Sequence, residues 1–518
     1  LEPFISKRVW SNELGAVAWL ICLLGLGIRL YAYHANPGPL RPDEEFQYLE
    51  QAHRLVFGTG LIPWEFVAGI RSWLLPGTLA GFFWAARLVG DDPTIALWAI
   101  AIALSLLSLP TILCAMRWGA QAAGIPGAIA AGVLNAAWFE VAGFAPHPLA
   151  DAVATSLLIP GLYFAGIGRD DRASSRALVC GGLLLGLTLA VRVQLAPVML
   201  LAWLLVLRPA APGDARRWRA GATLALGIAV PVLLTGALDA VTLTYPFQSF
   251  WLYAWINVGQ GVATSFGSTP WYIDILVELV SWSVALVPLL VTIAAGAWRR
   301  PVLLVCAAAI IGPFLLLAHK EERFLAPSLP LLLTLAGIGG AIIVEQAFTA
   351  LRQPIAAWPA GLGGAAIWLV VAALAAGRAP LWHGMYERTE MNAALRQVNA
   401  DPAACGVAIY PESPWSRMPS HARYRPGVQL YAFNPNDPPA RAAAFDYIID
   451  TSRLGGDNRL AALGFDRLAC WSRGPDLPDD TLLRACLWHR AQRCDPHAAT
   501  PFAPPLDHYF LSAADTAP

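Results

Sequence analysis

Lysine is nearly missing from this chain: Lys7 and Lys320 are the only two among 518 residues, and charged residues of all kinds make up 14% of the sequence. So little charge excludes the surface of a soluble multidomain protein of this length. Basic and acidic residues balance at 35 each, so the cationic excess that nucleic-acid binding requires is absent. No Gly-x-x-x-x-Gly-Lys-Ser/Thr phosphate loop occurs, no glycine-rich dinucleotide fingerprint follows a strand, and no His/Cys/Asp spacing suits zinc. Soluble nucleotide and metal cofactors are therefore not expected; the adjacent carboxylates of Asp43 and Glu44 do not by themselves specify a divalent-ion site. There is no Asn-x-Ser/Thr acceptor, one mark of a eukaryotic secretory lumen. Arginine, alanine, glycine and proline at the expense of lysine point to a GC-rich bacterial genome. No fixed-period repeat or pseudo-symmetry between halves is visible, which argues against a transporter built from inverted repeats.

What the chain has in abundance is apolar sequence, 57% of its residues. Apolar runs fall at roughly 14 to 33, 70 to 89, 94 to 116, 120 to 142, 148 to 168, 176 to 191, 194 to 207, 220 to 238, 273 to 298, 301 to 318, 325 to 350 and 357 to 377. Most are long enough to span a bilayer, which predicts an α-helical polytopic membrane protein of about 11 to 13 transmembrane helices. The first run is too long for a signal-peptide core and follows Lys7 and Arg8, so it reads as a retained span with a cytoplasmic N-terminus. The basic loops Arg169 to Arg176, Arg208 to Arg219, Arg299-Arg300 and Arg352 belong on the cytoplasmic side. Alternation places Arg192, the loop from Asp239 to Tyr272, residues His319 to Phe324 and everything after Arg378 on the other side, with the Pro42 to Arg71 loop. Twelve spans would return the tail to the cytoplasm, so one run before Arg169 is miscounted; Arg117, between two runs, marks the place.

After Arg378 the sequence turns polar and proline-rich, with strand-sized runs Gly406 to Tyr410 and Phe445 to Ile449 and a helical pattern over Glu390 to Val398. The chain thus divides into a membrane domain, 1–379, including a first periplasmic loop at 34–70, and a periplasmic α/β domain, 380–518. Residues from Ala498 on are Pro/Ala-rich and expected to lack regular structure. Cys405, Cys470, Cys486 and Cys494 all lie in this tail, an even number suited to an oxidising compartment. Three pairings are open; proximity favours Cys486 with Cys494, leaving Cys405 with Cys470.

Two polar stretches interrupt the apolar pattern. The first is Arg41-Pro42-Asp43-Glu44-Glu45-Phe46-Gln47, followed by His53, Trp64-Glu65 and Arg71-Ser72. Pro42 suits a first helical turn, and Asp43, Gln47, Glu50 and Arg54 follow one face while Phe46, Leu49, His53 and Phe57 follow the other. This spacing predicts an amphipathic helix lying on the membrane; alternatively Asp43 faces a cavity and acts as a general base. The second is the knot His319-Lys320-Glu321-Glu322-Arg323-Phe324 between two apolar runs. Its cations pair with Glu321 and Glu322 and anchor helix ends, or His319, Lys320 and Arg323 donate to a lipid-linked phosphate with Glu322 orienting Arg323. Arg192, beside Gln194, is an intramembrane functional candidate or a snorkelling side chain. Asp151 reads as a helix cap, and Trp64, Trp271 and Tyr272 as an interfacial belt or sugar-stacking surfaces.

These stretches resemble the Alg9-like mannosyltransferases, glycosyltransferase family 22 of the GT-C superfamily, and most closely the branch that adds the third mannose of glycosylphosphatidylinositol. That branch carries His-Pro-Asp-Glu-x-Phe-Gln, a downstream His, a Trp-Glu-Trp-like step and Arg-Ser, matched here by Arg41 to Gln47, His53, Trp64-Glu65-Phe66 and Arg71-Ser72. Its second signature, His-Lys-Glu-x-Arg-Phe, stands intact at His319 to Phe324; Gly267 to Tyr272 is similar to its Gly-Thr-x-Pro-Trp loop, and Ser413 to His421 is faintly similar to its tail. Arg41 in place of His and Phe66 in place of Trp imply a different acceptor, and a glycosylphosphatidylinositol acceptor is not expected in a bacterium.

The resemblance implies a GT-C fold and an inverting transfer of mannose from polyprenyl-phosphate-mannose to a glycolipid or glycan hydroxyl on the non-cytoplasmic face of the bacterial inner membrane. Asp43 would be the base, with Glu44 its nearest rival. His319, Lys320, Arg323 and Arg192 would hold the donor phosphate. Gln47, His53, Trp64, Glu65, Trp271 and Tyr272 would meet sugars, with Glu322 and Arg71 in support. The same fold with arabinose or glucose as the donor sugar is the alternative, and a lipid or glycan transporter is the alternative outside enzymes. The partners are thus the lipid-linked donor, the acceptor and membrane lipids.

Overall fold

The computed structural model describes residues 12–208, 216–352, 355–378, 389–411, 420–434, 436–451, 458–472 and 484–501. By internal contacts the chain forms two compact units, 1–33 with 101–383, and 34–100 with 384–518. The segment containing the first polar stretch thus groups with the C-terminal region, whereas the sequence division attached 34–70 to the membrane domain.

The first unit is a helical membrane body. Six described helical stretches are long and apolar enough to cross a bilayer: Glu13–Ala35, Pro93–Ala137, Arg216–Thr242, Ile273–Arg299, Glu322–Ala350 and Ala357–Ala376. Shorter apolar helices in this unit are Ala150–Phe164, Ser175–Val191, Val193–Leu207 and Pro301–Leu316. The 45-residue stretch Pro93–Ala137 would be about 67 Å long if straight, twice the hydrocarbon thickness of a bilayer. It does not run straight: Ala123 and Gly124 leave helical geometry, with Gly124 at φ 62°. The chain doubles back there so tightly that a Cβ on Gly119 would lie 2.2 Å from the Gly127 carbonyl oxygen. Arg117 therefore sits beside a helical hairpin turn, not between doubtful spans.

That turn meets the other basic loops. Trp118 Nε1 donates to the Ile167 carbonyl at 2.8 Å, Arg299 Nε to the Ala122 carbonyl at 3.4 Å, and Arg300 bridges Asp170 at 2.5 and 2.7 Å. Two of the arginine-rich loops grouped by the sequence analysis, Arg169 to Arg176 and Arg299-Arg300, thus share one end of this unit with the turn after Arg117. At the other end the chain breaks at Arg192, makes a 3-10 turn over Val193–Leu195 and resumes as the helix Ala196–Leu207.

The second unit holds a five-stranded mixed sheet: β1 Gly406–Tyr410, β2 Gln429–Ala432, β3 Tyr447–Asp450, β4 Asp466–Ser472 and β5 Arg484–His489. The order is β2-β1-β3-β5-β4, with β1 parallel to both neighbours and β5 antiparallel to β3 and β4. Every residue of β1 is buried, as a central strand covered on both faces requires. Val407 and Ile409 face the helix Thr389–Ala400 through Met391, Leu395 and Val398, while Ala408 and Tyr410 face Phe433, Phe445 and Trp488. Phe46 and Leu61 of the first polar stretch enter the former layer.

The cysteine pairing differs from the sequence expectation. The disulfides are Cys405–Cys494 and Cys470–Cys486, not 486–494 and 405–470. Cys470 and Cys486 stand directly opposite on β4 and β5, with Cα atoms 4.0 Å apart. Cys494, beyond β5, returns to Cys405 just before β1. Strand register overrides proximity along the chain. Of the Pro/Ala-rich end, residues 502–518 lie outside the described residues, as do Ser413 to Pro419 of the tail segment.

Candidate active-site residues

The first polar stretch is helical, but its polar side is buried and not exposed. Glu44–Leu49 form a π-helical segment that passes into the α-helix Glu50–Phe57, and every residue from Glu44 to His53 is buried. A π turn shifts the register by one residue, so the two-faced spacing read from 3.6-residue periodicity does not hold. What covers the polar side is the segment Ser420–Arg423. Ser420 donates to Glu45 Oε2 from its backbone nitrogen at 3.2 Å and from its hydroxyl, and Arg423 Nε donates to Glu45 Oε1. Arg423 also donates to the Pro37 carbonyl at 2.6 Å. His421 Nδ1 lies 2.7 Å from Glu50 Oε1, an oxygen that also accepts the Leu61 N–H at 2.6 Å. Glu44 Oε2 accepts the Leu40 N–H at 2.9 Å.

These contacts sort the carboxylates of the stretch. Glu44, Glu45 and Glu50 are at most 1% exposed and are taken up by local donors, and Glu65 is 8% exposed; Asp43 is half-buried. Gln47 Nε2 donates to Glu65 Oε1 at 2.7 Å. Burial pushes the Glu65 carboxyl up to about 7; the Asp43 charge adds to the rise and Arg71 opposes it. Asp43, Glu65, Gln47 and Arg71 therefore form one electrostatic group. Trp64 is half-buried next to it. His53 is set apart: its ring stacks on Phe57 at 4.5 Å, its Nδ1 is 3.0 Å from the Thr59 carbonyl, and burial lowers its proton affinity.

In the membrane unit, Arg192 Nε pairs with Asp151 at 2.8 Å with both side chains buried, so Asp151, inside the first turn after the N-cap Leu149, is an ion-pair partner and not the expected cap. The Arg192 guanidinium lies over the Phe324 ring at 4.9 Å, which joins Arg192 to the knot. Within the knot Glu321 holds both neighbouring cations: Arg323 donates from Nε and Nη2 to its two oxygens at 2.8 and 2.9 Å, and His319 Nε2 lies 3.2 Å from Oε1. Glu321 is extended (φ −140°, ψ 139°), and on extended backbone residues two apart share a side. Its carboxylate thus meets both 319 and 323 and raises the proton affinity of His319. Lys320 Nζ instead donates to the carbonyls of Thr269, at 3.0 Å, and Leu317. Thr269 returns its N–H to Ala318 at 3.1 Å, so the Gly267 to Tyr272 loop is tied to the knot. Trp271 and Tyr272 on that loop are 62% and 47% exposed.

The sequence analysis passed over several buried groups. Glu45, Glu50, Arg423 and the His421 partnership carry no local pattern, because their partners lie more than 370 residues away. Glu140 and Glu278 are buried, and each accepts an indole N–H, from Trp138 at 2.7 Å and Trp282 at 3.0 Å. Asp401, Asp446 and His489 approach within 4.8 Å of one another, a spacing open to a cation, but Asp401 accepts the Tyr447 hydroxyl and Asp446 the N–H groups of Cys405 and Gly406.

The profile of the Alg9-like mannosyltransferase family matches residues 19–422, a span holding both signatures. The chain belongs to this family. Similar curated proteins include GPI mannosyltransferase 3 of Yarrowia lipolytica, 28% identical over 299 residues, covering 56% of each chain. GPI alpha-1,2-mannosyltransferase 3 of Xenopus laevis is 22% identical over 61% of this chain and 59% of that one. The chain thus spans little more than half the length of the curated relatives it matches. Among solved structures, ArnT from Cupriavidus metallidurans bound to undecaprenyl phosphate superposes with a TM-score of 0.54 at 14% identity, covering 95% of this chain and all of that one. At that identity the likeness is one of fold: a GT-C membrane body with a C-terminal sheet domain.

Proposed function

We propose that this member of the Alg9-like family is an inverting mannosyltransferase that moves mannose from polyprenyl-phosphate-mannose to a hydroxyl of a glycolipid or glycan on the non-cytoplasmic face. The observation that carries the reading is the sorting of the first-stretch acids: Glu44, Glu45, Glu50 and Glu65 are buried, while Asp43 keeps solvent access. A general base must reach the proton it takes. Asp43 removes the acceptor hydroxyl proton as that oxygen attacks C1 of the mannose. The C1–O bond to phosphate breaks, its electron pair leaves with polyprenyl phosphate, and a β-linked donor gives an α-linked product. The anionic leaving group calls for cations rather than a general acid.

The knot suits that part. Arg323 and Arg192 already hold Glu321 and Asp151, whereas Lys320 is held by neutral carbonyls, so its charge gains most from a phosphate. His319 and Arg323 add donors at its edge. Trp271 and Tyr272 offer exposed aromatic faces for a sugar. The names of the mannosyltransferase relatives support the sugar, and the undecaprenyl phosphate bound by ArnT supports a polyprenyl-phosphate carrier. The reaction so written needs no soluble cofactor and no metal. Donor competition tests it: the purified protein with a glycolipid extract should consume polyprenyl-phosphate-mannose and leave the arabinose and glucose analogues. Consumption of either analogue in preference would transfer the reading to that sugar.

A further inference from the structure

We propose that the arginine-lined cavity at the opposite end of the membrane unit from the knot is a binding site for the phosphate headgroup of an anionic membrane lipid. The cavity has a volume of about 660 Å³ and lies among the turn after Ala150–Phe164, the start of Ser175–Val191, the end of Val193–Leu207 and the start of Arg216–Thr242. Arg169, Arg172, Arg208, Arg216, Arg217 and Arg219 line it, against two acids, Asp170 and Asp171. Both acids are engaged: Asp171 by Arg169, and Asp170 by Arg300 from outside the cavity. The lining therefore carries more arginines than carboxylates, six against two. Arg217 Nε is buried and has no hydrogen-bond partner among the described residues, an unmet donor of the kind a phosphate oxygen satisfies.

The lining also holds Leu178, Leu205, Val206 and Val302, beside the hydroxyls of Ser174, Ser175 and Thr223. On the helices that frame the cavity, Val179, Leu204 and Leu226 are 41%, 51% and 68% exposed, a surface for acyl chains below a headgroup. A soluble anion would use the cations and leave this apolar surface unmatched; a lipid uses both. The guanidinium fork matches phosphate oxygens in pairs, and basic pockets between membrane helices suit such headgroups. The site is separate from the proposed donor site. Ser175–Val191 starts at the cavity and ends at Arg192, 17 residues and about 25 Å away.

The test measures phosphatidylglycerol retained per molecule by native mass spectrometry of the full chain from mixed phosphatidylglycerol and phosphatidylcholine discs. The native protein and Arg352→Gln, which removes an exposed arginine outside the cavity, should retain phosphatidylglycerol selectively. Arg217→Gln/Arg219→Gln should bind it roughly 30-fold more weakly, at an unchanged melting temperature. If that variant does not fold, Arg172→Gln/Arg208→Gln serves in its place. Equal retention in all proteins, or no selectivity in the native one, overturns the proposal. Full displacement by millimolar inorganic phosphate, with the same dependence on Arg217 and Arg219, would reassign the site to a soluble anion and overturn the lipid assignment.

Discussion

His421 Nδ1 meets Glu50 Oε1 at 2.7 Å across 371 residues of sequence, and both side chains are buried. With Arg423 on Glu45, this contact makes the segment after Pro419 part of the scaffold of the first polar stretch, the stretch that contains Asp43. The C-terminal region is therefore more than an appendage: within its unit it determines where the acids of that stretch lie.

Removing Arg423 leaves Glu45 buried beside a hydroxyl and one N–H. Breaking a buried pair from one side costs about 3 to 5 kcal/mol, so Arg423→Ala should lower the thermal midpoint clearly and reduce transfer through loss of folded protein. Arg423→Lys keeps the charge without the fork and should recover part of both. A melting curve of Arg423→Ala that overlays the native one would show that the contact has no structural weight.

Glu65 makes stability depend on pH. Its folded carboxyl titrates near 7, above the ordinary value of 4.5, so the folded state holds the proton more tightly than the unfolded chain. The stabilisation is present in full below about pH 4.5 and is lost as pH rises to about 7, a change on the order of 3 kcal/mol. Glu65→Gln keeps an acceptor for Gln47 and cannot ionise. Its melting temperature should fall less than that of the native protein between pH 5 and pH 8; parallel profiles would contradict the assignment.

Lys320→Ala should reduce turnover by about 100 to 1,000-fold if its ammonium meets the leaving phosphate, with the fold retained. Loss of the Thr269 contact alone would loosen the Gly267 to Tyr272 loop, and Lys320→Arg, which can still donate there, separates the two roles by restoring turnover in part. A Lys320→Ala protein with native turnover would remove this residue from the chemistry.

Non-reducing peptide mapping should yield the pairs 405–494 and 470–486. Cys405→Ser should cost more stability than Cys470→Ser, because its disulfide closes a loop of 89 residues rather than 16.

Much of this was legible in the sequence. The apolar helices, the strand at Gly406 to Tyr410 and the two polar stretches announce themselves through local composition. Pairing across distance was not legible. Nothing near Cys486 indicates that β4 will stand opposite it, and nothing near Glu45 indicates Arg423. The hold of Glu321 on Arg323 depended on one extended residue before a 3-10 turn, a matter of backbone angle and not of residue type. The π turn at Glu44–Leu49 likewise breaks a periodicity that the residues themselves satisfy.

The most direct measurement is release of polyprenyl phosphate from synthetic polyprenyl-phosphate-mannose by the purified protein in lipid discs with a glycolipid extract, comparing native, Asp43→Asn and Glu44→Gln chains. Asp43→Asn should lose at least about 100-fold in turnover while folding normally, and Glu44→Gln, whose amide oxygen can still accept the Leu40 N–H, should retain turnover per folded molecule. Native turnover in Asp43→Asn, or its loss only in Glu44→Gln, would contradict the assignment of Asp43 as the base.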